Sequence, residues 1–196
     1  MGGIVKTLAG LAECCRLAYE RGLVGGTGGN LSVRAGNEVY ITATGCRLGD
    51  VSPRTLCAVT LDGKLKEGAP QPSKELNLHL SIYRARPDVN AVVHLHPVNS
   101  IVVSILASGD GQPMPAYSPG YQMKIPVCEI VENLKPGSPE LADALARAAL
   151  KADVVLIKNH GIITMAKDIK AAFSLVEEAE QNAQLHVILR GQGALP

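Results

Sequence analysis

The sequence predicts a single α/β domain in which helices pack on a central sheet of mixed strand order. Three observations favour this class. Short β-type runs alternate with helical patterns, no internal repeat or linker interrupts them, and 196 residues suffice for one full hydrophobic core. Hydrophobic residues make up 46% of the chain and charged residues 19%, which is a normal globular balance. With only 3% aromatic residues and no Trp, we expect an aliphatic core.

The first half of the chain predicts a helix, several short strands and a second helix. Apolar residues recur at helical spacing over residues 4–21, and Gly22 ends the pattern. The Gly-rich run 25–30 fits no regular element. Ser73 is the expected N-cap of a helix that ends before Pro87. Turn residues bound the predicted strands, which cover 31–34, 38–42 and 57–61.

The second half predicts the alternation that is typical of a mixed α/β domain. An apolar strand over 91–97 leads into a helix over 97–106, and a Gly- and Pro-rich loop follows over 109–120. The remaining predicted elements are a helix over 138–150, strands over 153–157 and 161–165, and a long helix over 168–190.

Composition argues against several classes of function. The net charge of +1 favours neither a nucleic-acid groove nor a basic membrane surface. No apolar run approaches the roughly 18 residues of a membrane helix, and the first residues do not resemble a signal peptide. The five cysteines lack the spacing of a zinc ribbon or a redox motif. We therefore expect a reduced, cytoplasmic protein without nucleic-acid or membrane partners.

His94 and His96 are the strongest candidates for chemistry. They lie two residues apart in an apolar strand-type run, so their side chains point to the same face. Two ring nitrogens on one face favour a divalent metal, with hydrogen-bonded core residues as the alternative. His160, at a sharp turn after a predicted strand, would complete the set of three histidines that zinc accepts.

The other titratable candidates carry weaker signals. Glu75 lies in the first turn of a predicted helix, where it suits either a metal site or the helix dipole. We expect His79 to be packed or exposed, with a role at or behind a metal as the alternative. His186, on the last predicted helix, is expected at the surface or in a subunit contact.

Small, hydrogen-bonding residues gather in three loops. The Gly-rich run 25–30 can bring backbone N–H groups close to an anion, but it lacks the ending of a P-loop. Thr44-Gly45 and Ser73-Lys74 are similar pairs in loop contexts. The three pieces predict a pocket for a phosphomonoester, and three ordinary turns are the alternative.

Taken together and in this order, the motifs resemble the class II aldolase/adducin family. The resemblance covers nearly the whole chain, in five segments: Gly26 to Arg34, Ile41 to Gly45, Pro72 to His79, Ala91 to Pro97 and Lys158 to Gly161. It implies one three-layer α/β/α domain with a central mixed, largely antiparallel sheet. It also implies a homotetramer with active sites at the subunit interfaces.

The resemblance assigns roles to individual positions. His94, His96 and His160 match the family's zinc-binding histidines. Glu75 matches the residue that ligates the resting metal and serves as catalytic acid or base. The positions that match the family's phosphate-binding residues are Gly29, Asn30, Thr44, Gly45 and Ser73.

Two further positions bear on the choice of substrate. Lys74 stands where the aldolases usually carry a second Ser, and the sequence Ser73-Lys74-Glu75 looks more like the 3-oxo-tetronate 4-phosphate decarboxylase branch. Its ammonium can add a positive charge near a phosphate or a carboxylate. Fuculose-phosphate aldolases carry a Tyr that reaches a neighbouring subunit's site, and we expect Tyr117 or Tyr121 to take that catalytic role.

The resemblance thus predicts a metal-dependent carbon–carbon lyase. Such an enzyme would cleave a phosphorylated ketose, for example a ketose 1-phosphate, through a metal-stabilised enediolate. Zn²⁺ is the expected metal, with Mn²⁺ or Co²⁺ as alternatives, and we expect burial to raise the pKa of Glu75. The 3-oxo-tetronate 4-phosphate decarboxylase is the main alternative function. A sugar-phosphate 4-epimerase, a non-catalytic adducin-like module and a structural zinc site closed by Glu75 are less favoured.

Overall fold

A seven-stranded sheet forms the centre of the computed structural model, which describes residues 2–107 and 112–193. Its strands follow one another across the sheet in the order β3-β2-β1-β4-β7-β6-β5. Neighbouring strands are antiparallel except β5 and β6, which are parallel. The strands are β1 (Asn30–Ala35), β2 (Glu38–Ile41), β3 (Cys57–Thr60), β4 (Ala91–Leu95), β5 (Cys128–Val131), β6 (Val154–Ile157) and β7 (Gly161–Ala166).

Helices cover both faces of this sheet. One face packs against α1, α3, α4 and α6 around a core that includes Leu11, Val103 and Phe173. The other face packs against α2 and α5 around Leu78 and Leu141. The three-layer α/β/α domain with a mixed, largely antiparallel sheet is therefore confirmed. The helices are α1 (Gly2–Glu20), α2 (Leu76–Ala85), α3 (Val98–Leu106), α4 (Pro119–Lys124), α5 (Pro139–Ala149) and α6 (Ile169–Gly191).

Two of these strands and α-helices lie where the sequence predicts none. Helix α4 begins at Pro119, inside the predicted loop 109–120, of which residues 109–111 lie outside the described ranges. Ser118 accepts the Tyr121 N–H and Pro119 occupies the first turn, and both features favour a helix start. Strand β5 pairs in parallel with β6, a partner distant in sequence that a local pattern cannot show.

Helix α2 begins later than predicted. Its first residue is Leu76 and Glu75 occupies the capping position, while Ser73 lies before the helix and accepts the Glu75 N–H through Oγ. None of the helices in the described ranges combines the length and the apolarity that a membrane span requires.

The sheet places the candidate residues on the face that α2 and α5 cover. Along β1, Leu31 and Val33 point into the core on the opposite side, so Asn30 and Ser32 face α2. His94 on β4 is directly opposite Asn30 in the antiparallel register. The end of β4 and the start of β1 therefore bring their side chains together beneath the start of α2.

Candidate metal centre and phosphate pocket

Three histidines and one carboxylate converge at the end of β4. His94, His96, His160 and Glu75 each offer a ligand atom, and these atoms lie within 4.8 Å of one another. His94 Nε2 is 3.0 Å from His96 Nε2 and 3.3 Å from His160 Nε2. The Glu75 carboxylate is 3.4 Å from His94 Nε2 and 3.5 Å from His160 Nε2.

These distances fit a single bound cation. Nitrogen and oxygen ligands at about 2.0–2.1 Å from one zinc in tetrahedral geometry lie roughly 3.3–3.4 Å apart. Three neutral imidazoles also cannot all satisfy one another by hydrogen bonds, because each has only one N–H. The Glu75 Oε1 atom is buried without a hydrogen-bond partner among the described residues. The donor set is thus suited to a divalent metal.

The backbone of β4 and β7 orients the histidines. The His94 Nδ1–H donates to the Ile162 carbonyl at 3.0 Å, which leaves the Nε2 lone pair directed at the other donors. His160 sits in the turn between β6 and β7, where Asn159 has a left-handed φ of 58°. A Cβ on Gly161 would overlap the Leu95 carbonyl oxygen, so only glycine lets this turn approach β4 so closely.

Two of the histidines have a lowered pKa, which favours the neutral form that a metal ligand needs. Burial is the main cause that lowers the pKa of His96 to about 3, and burial also lowers the pKa of His160. Imidazoles with such a low pKa keep a lone pair free at physiological pH.

The pKa of Glu75 departs from the expectation in the opposite direction. Burial acts to raise it, but hydrogen bonding and attraction from His94, with smaller effects of Asn30 and His160, leave it well below its usual range. The expectation of a raised pKa was wrong because it counted burial alone. The carboxylate is 13% exposed and remains ionised beside these donors.

His79 lies behind the four candidate donors and is not part of their cluster. It is fully buried, with Nε2 2.6 Å from Asn30 Oδ1 and Nδ1 2.7 Å from Ser32 Oγ. Burial lowers its pKa to about 3, so the ring is neutral. The sequence favours a packed or exposed residue at this position, and it gives no sign of the hydrogen bonds that link His79 through Asn30 to Glu75.

A cavity of about 400 Å³ opens beside the donor cluster. Glu75, His96 and His160 line one wall of it. The remaining wall contains all the positions predicted to bind phosphate, which are Gly29, Asn30, Thr44, Gly45, Ser73 and Lys74. A larger cavity of about 890 Å³ lies between α1 and the start of α6, away from these donors. The smaller one is the candidate site because it alone joins both groups of predicted residues.

Close backbone contacts shape this smaller cavity. Gly29 has a φ of 73° and packs against the His94 carbonyl, and a Cβ on Gly28 would come within 2.8 Å of His96 Nδ1. The loops around Thr44 and Ser73 are joined by a hydrogen bond from the Ser73 N–H to the Thr42 carbonyl. The Gly-rich loop therefore lies directly against the metal-ligand strand.

The two candidate tyrosines lie outside this cavity within the chain. Tyr121 is 2% exposed in the core near Cys128, and its hydroxyl has no hydrogen-bond partner among the described residues. The Tyr117 hydroxyl is 2.7 Å from His186 Nδ1. His186 is 8% exposed because Tyr117 packs against its ring, so it does not lie open at the surface of the chain; its place in a subunit contact stays a prediction. Contribution of either tyrosine to a neighbouring subunit stays a prediction.

The fold and the donor set agree with comparisons against known proteins. The profile of the family described as "Class II Aldolase and Adducin N-terminal domain" matches residues 9–187. The chain belongs to this family. Its resemblance to the class II aldolases, inferred from five short motifs, is thereby confirmed.

Relatives within the class II aldolase family include proteins named as aldolases and proteins named as decarboxylases. The L-fuculose phosphate aldolase of one Methanococcus maripaludis strain is 37% identical over 90% of this chain and 94% of its own length. The 3-oxo-tetronate 4-phosphate decarboxylase of Haemophilus influenzae is 36% identical over 93% of this chain and 87% of its own length. Among solved structures, the L-fuculose-1-phosphate aldolase of Thermus thermophilus superposes with a TM-score of 0.85 at 26% identity, covering 97% of both chains.

Proposed function

We propose that this class II aldolase family member is a metal-dependent carbon–carbon lyase acting on a phosphorylated ketose such as a ketose 1-phosphate. One observation carries the proposal: the cluster of three histidines and Glu75 opens, through Glu75, His96 and His160, onto a cavity that every residue predicted to bind phosphate also lines. The proposal includes Zn²⁺, or else Mn²⁺ or Co²⁺, as the metal. It also includes a cytoplasmic homotetramer whose active sites lie between subunits and are completed by Tyr117 or Tyr121.

The opening of the donor cluster supports catalysis over a structural role. Structural zinc sites are closed by four protein ligands, whereas catalytic sites keep a position that substrate can take. Here Glu75, His96 and His160 line the cavity, and the Glu75 Oε1 atom is held by no hydrogen bond among the described residues. Glu75 lies at the N-cap of α2 and not on the sheet, so its side chain can be displaced without moving β4 or the β6–β7 turn.

His94, His96 and His160 would hold the cation, and they add no negative charge to it. The bound cation would act as a Lewis acid for negative charge that develops on substrate oxygens. The histidines' own task is rigid placement, which β4 and the β6–β7 turn provide. The loops around Gly29, Thr44 and Ser73 would bind the phosphate and so fix the reacting carbons near the histidines.

Glu75 is the group that would move the proton. Its carboxylate is ionised, so it is ready to accept a proton from a substrate hydroxyl as a carbon–carbon bond breaks. Contact with His94 and His160 favours the charged form, and displacement from them would raise its proton affinity. The same residue would then return that proton to the carbon atom that keeps the electron pair of the broken bond.

Lys74 favours a second candidate, the 3-oxo-tetronate 4-phosphate decarboxylase. Its side chain is exposed and lines the cavity next to Ser73, where a cation can attract a substrate carboxylate as well as a phosphate. Loss of carbon dioxide and loss of an aldehyde leave equivalent negative charge on the remaining fragment. The donor cluster therefore supports both reactions, and substrate binding decides between them.

An activity screen of the metal-loaded protein tests the proposal. Ketose 1-phosphates and 3-oxo-tetronate 4-phosphates would be offered separately, with released aldehyde and carbon dioxide measured in each reaction. We expect turnover of at least one class that stops when a chelator removes the metal. Turnover of neither class would contradict the proposal.

Glu75→Gln provides the matched test of the mechanism. The amide keeps the shape but cannot accept the proton, so we expect kcat to fall about 100- to 10,000-fold with substrate binding retained. Glu132→Gln is the control, because the Glu132 side chain is 73% exposed and pairs with Lys158. An unchanged kcat for Glu75→Gln would remove Glu75 from the proton-transfer role.

A further inference from the structure

A chain of hydrogen bonds runs from Glu75 into the protein and ends at Tyr83. Asn30 Nδ2 is 2.8 Å from Glu75 Oε2, and Asn30 Oδ1 is 2.6 Å from His79 Nε2. Ser32 Oγ is 2.7 Å from both His79 Nδ1 and the Tyr83 hydroxyl. The four residues behind Glu75 are each at most 4% exposed. Such a fully satisfied buried network holds its members in one arrangement.

The chain arises because helix and strand spacings match. Glu75, His79 and Tyr83 are four residues apart at the start of α2 and along it, which corresponds to about 6 Å per step. Asn30 and Ser32 are two residues apart on β1, which corresponds to roughly 6.6 Å. Residues from the two elements therefore alternate along the chain of bonds. The spacing also explains why the side chains of the four buried residues behind Glu75 all find hydrogen-bond partners.

The bonds have a defined direction. An ionised Glu75 accepts from Asn30 Nδ2, so the Asn30 carbonyl oxygen faces His79 and must accept from the Nε2–H. The neutral His79 ring then has a bare Nδ1, which accepts from the Ser32 hydroxyl. Ser32 Oγ in turn accepts from the Tyr83 hydroxyl.

We propose that His79 is a positioning residue that fixes the Asn30 amide and, through it, the Glu75 carboxylate. This inference rests on the proposed function of Glu75. If the amide turned over, its oxygen would face the carboxylate and two acceptors would repel each other. The His79 Nε2–H prevents that rotation, because only the Asn30 oxygen can accept from it. Glu75 is thereby held by Oε2, and Oε1 stays directed toward His160.

The test combines three variants with titration of the metal-free protein by Zn²⁺ alone. His79→Leu removes both ring bonds, and we expect about 10- to 100-fold weaker Zn²⁺ binding, the usual effect of removing a group that orients a ligand. His79→Gln keeps an N–H within reach of Asn30, and it should restore binding to within about threefold of the parent. Tyr83→Phe is the matched control, because Ser32 can still donate to His79, and it should also stay within about threefold.

Two further measurements separate positioning from general loosening. In an Asn30→Ala background, His79→Leu should weaken Zn²⁺ binding no further, because its effect passes through Asn30. Melting temperatures are measured for every variant. Additive losses of Zn²⁺ affinity in the double variant would overturn the proposal. So would Zn²⁺ affinities of His79→Leu and Tyr83→Phe that simply follow the melting temperatures of these variants. If His79→Leu does not fold, Ser32→Ala is measured in its place. We expect its Zn²⁺ binding to be about three- to tenfold weaker than that of Tyr83→Phe. An affinity equal to that of Tyr83→Phe would contradict the proposal.

Nitrogen NMR of the histidine rings provides a readout that needs neither metal nor substrate. We expect His79 to carry its proton on Nε2 in the metal-free protein, and a proton on Nδ1 would overturn the proposal. If the activity screen fails but His79 carries its proton on Nε2, the proposed reaction is contradicted and the inferred orientation of Asn30 still holds. The two failures are therefore distinguishable.

Discussion

The donor cluster and the phosphate pocket share one cavity, but they are built in different ways. His94 is fully buried on a central strand, and its ring is fixed by the Ile162 carbonyl. The candidate phosphate pocket instead consists mainly of loop residues, several of them glycines, and Lys74 on its wall is exposed. The cluster is thus held by the core of the domain, and the pocket is held by contacts between loops.

This difference suggests a division of labour. Chemistry that needs placement within a fraction of an ångström is located at the end of β4 and in the elements packed against it, where packing restricts movement. Recognition of the substrate is located on loops, where sequence can vary without disturbing the core. Substitutions in the cluster should therefore abolish turnover, whereas substitutions in the pocket should change which substrate is used.

The largest effect is expected from His94→Ala. It removes the central ligand, so we expect loss of bound metal and a fall in kcat/KM of more than about 1000-fold, because Lewis-acid stabilisation contributes several kcal/mol. Elemental analysis and steady-state kinetics measure both effects. A fully metallated and fully active variant would contradict the ligand assignment.

An intermediate effect is expected from Gly161→Ala. The added Cβ would overlap the Leu95 carbonyl oxygen and lie 2.9 Å from His96 Cδ2, so the β6–β7 turn must move away from β4. We expect a loss of about 1–3 kcal/mol in the free energy of unfolding, together with weaker metal binding because His160 moves with the turn. Chemical denaturation and Zn²⁺ titration measure these changes.

Gly10→Ala is the matched control for this variant. Gly10 lies inside α1, and a Cβ there would meet Ile169 Cγ2 at an ordinary 3.5 Å. Alanine favours a helix over glycine by up to about 1 kcal/mol, so stability should rise slightly and metal binding should not change. If both glycine variants weakened metal binding equally, the tight contact at Gly161 would not explain the effect.

Local sequence patterns were sufficient to single out the three histidines that the fold brings together. The two-residue spacing of His94 and His96 and the turn at His160 are features of short segments, and the fold preserves both. The pKa direction of Glu75 could not be predicted in this way. It depends chiefly on Glu75 lying against His94, which is distant in sequence, and to a smaller extent on Asn30, which the pairing of β1 with β4 places opposite His94.

The role of His79 required the same non-local information. A spacing of four residues between Glu75, His79 and Tyr83 is visible in the sequence, and so is the spacing of two between Asn30 and Ser32. These spacings have meaning only when α2 is known to pack along β1. Strand β5 was not predicted for a related reason, because it is defined mainly by its parallel pairing with β6 and not by its own sequence pattern.

The smallest effect, and the sharpest test of the division between cluster and pocket, is expected from Lys74→Ser. Its exposed ammonium contributes at most about 1 kcal/mol to binding an anion, so KM should rise by roughly two- to fivefold with little change in kcat. Zn²⁺ affinity should stay at the parent value, because the exposed Lys74 side chain forms no hydrogen bond or ion pair with the four donors among the described residues. If Lys74 attracts a substrate carboxylate, KM should rise more for 3-oxo-tetronate 4-phosphates than for ketose 1-phosphates. A loss of metal affinity in this variant would show that the loops and the cluster are coupled, and that specificity cannot change without disturbing the chemistry.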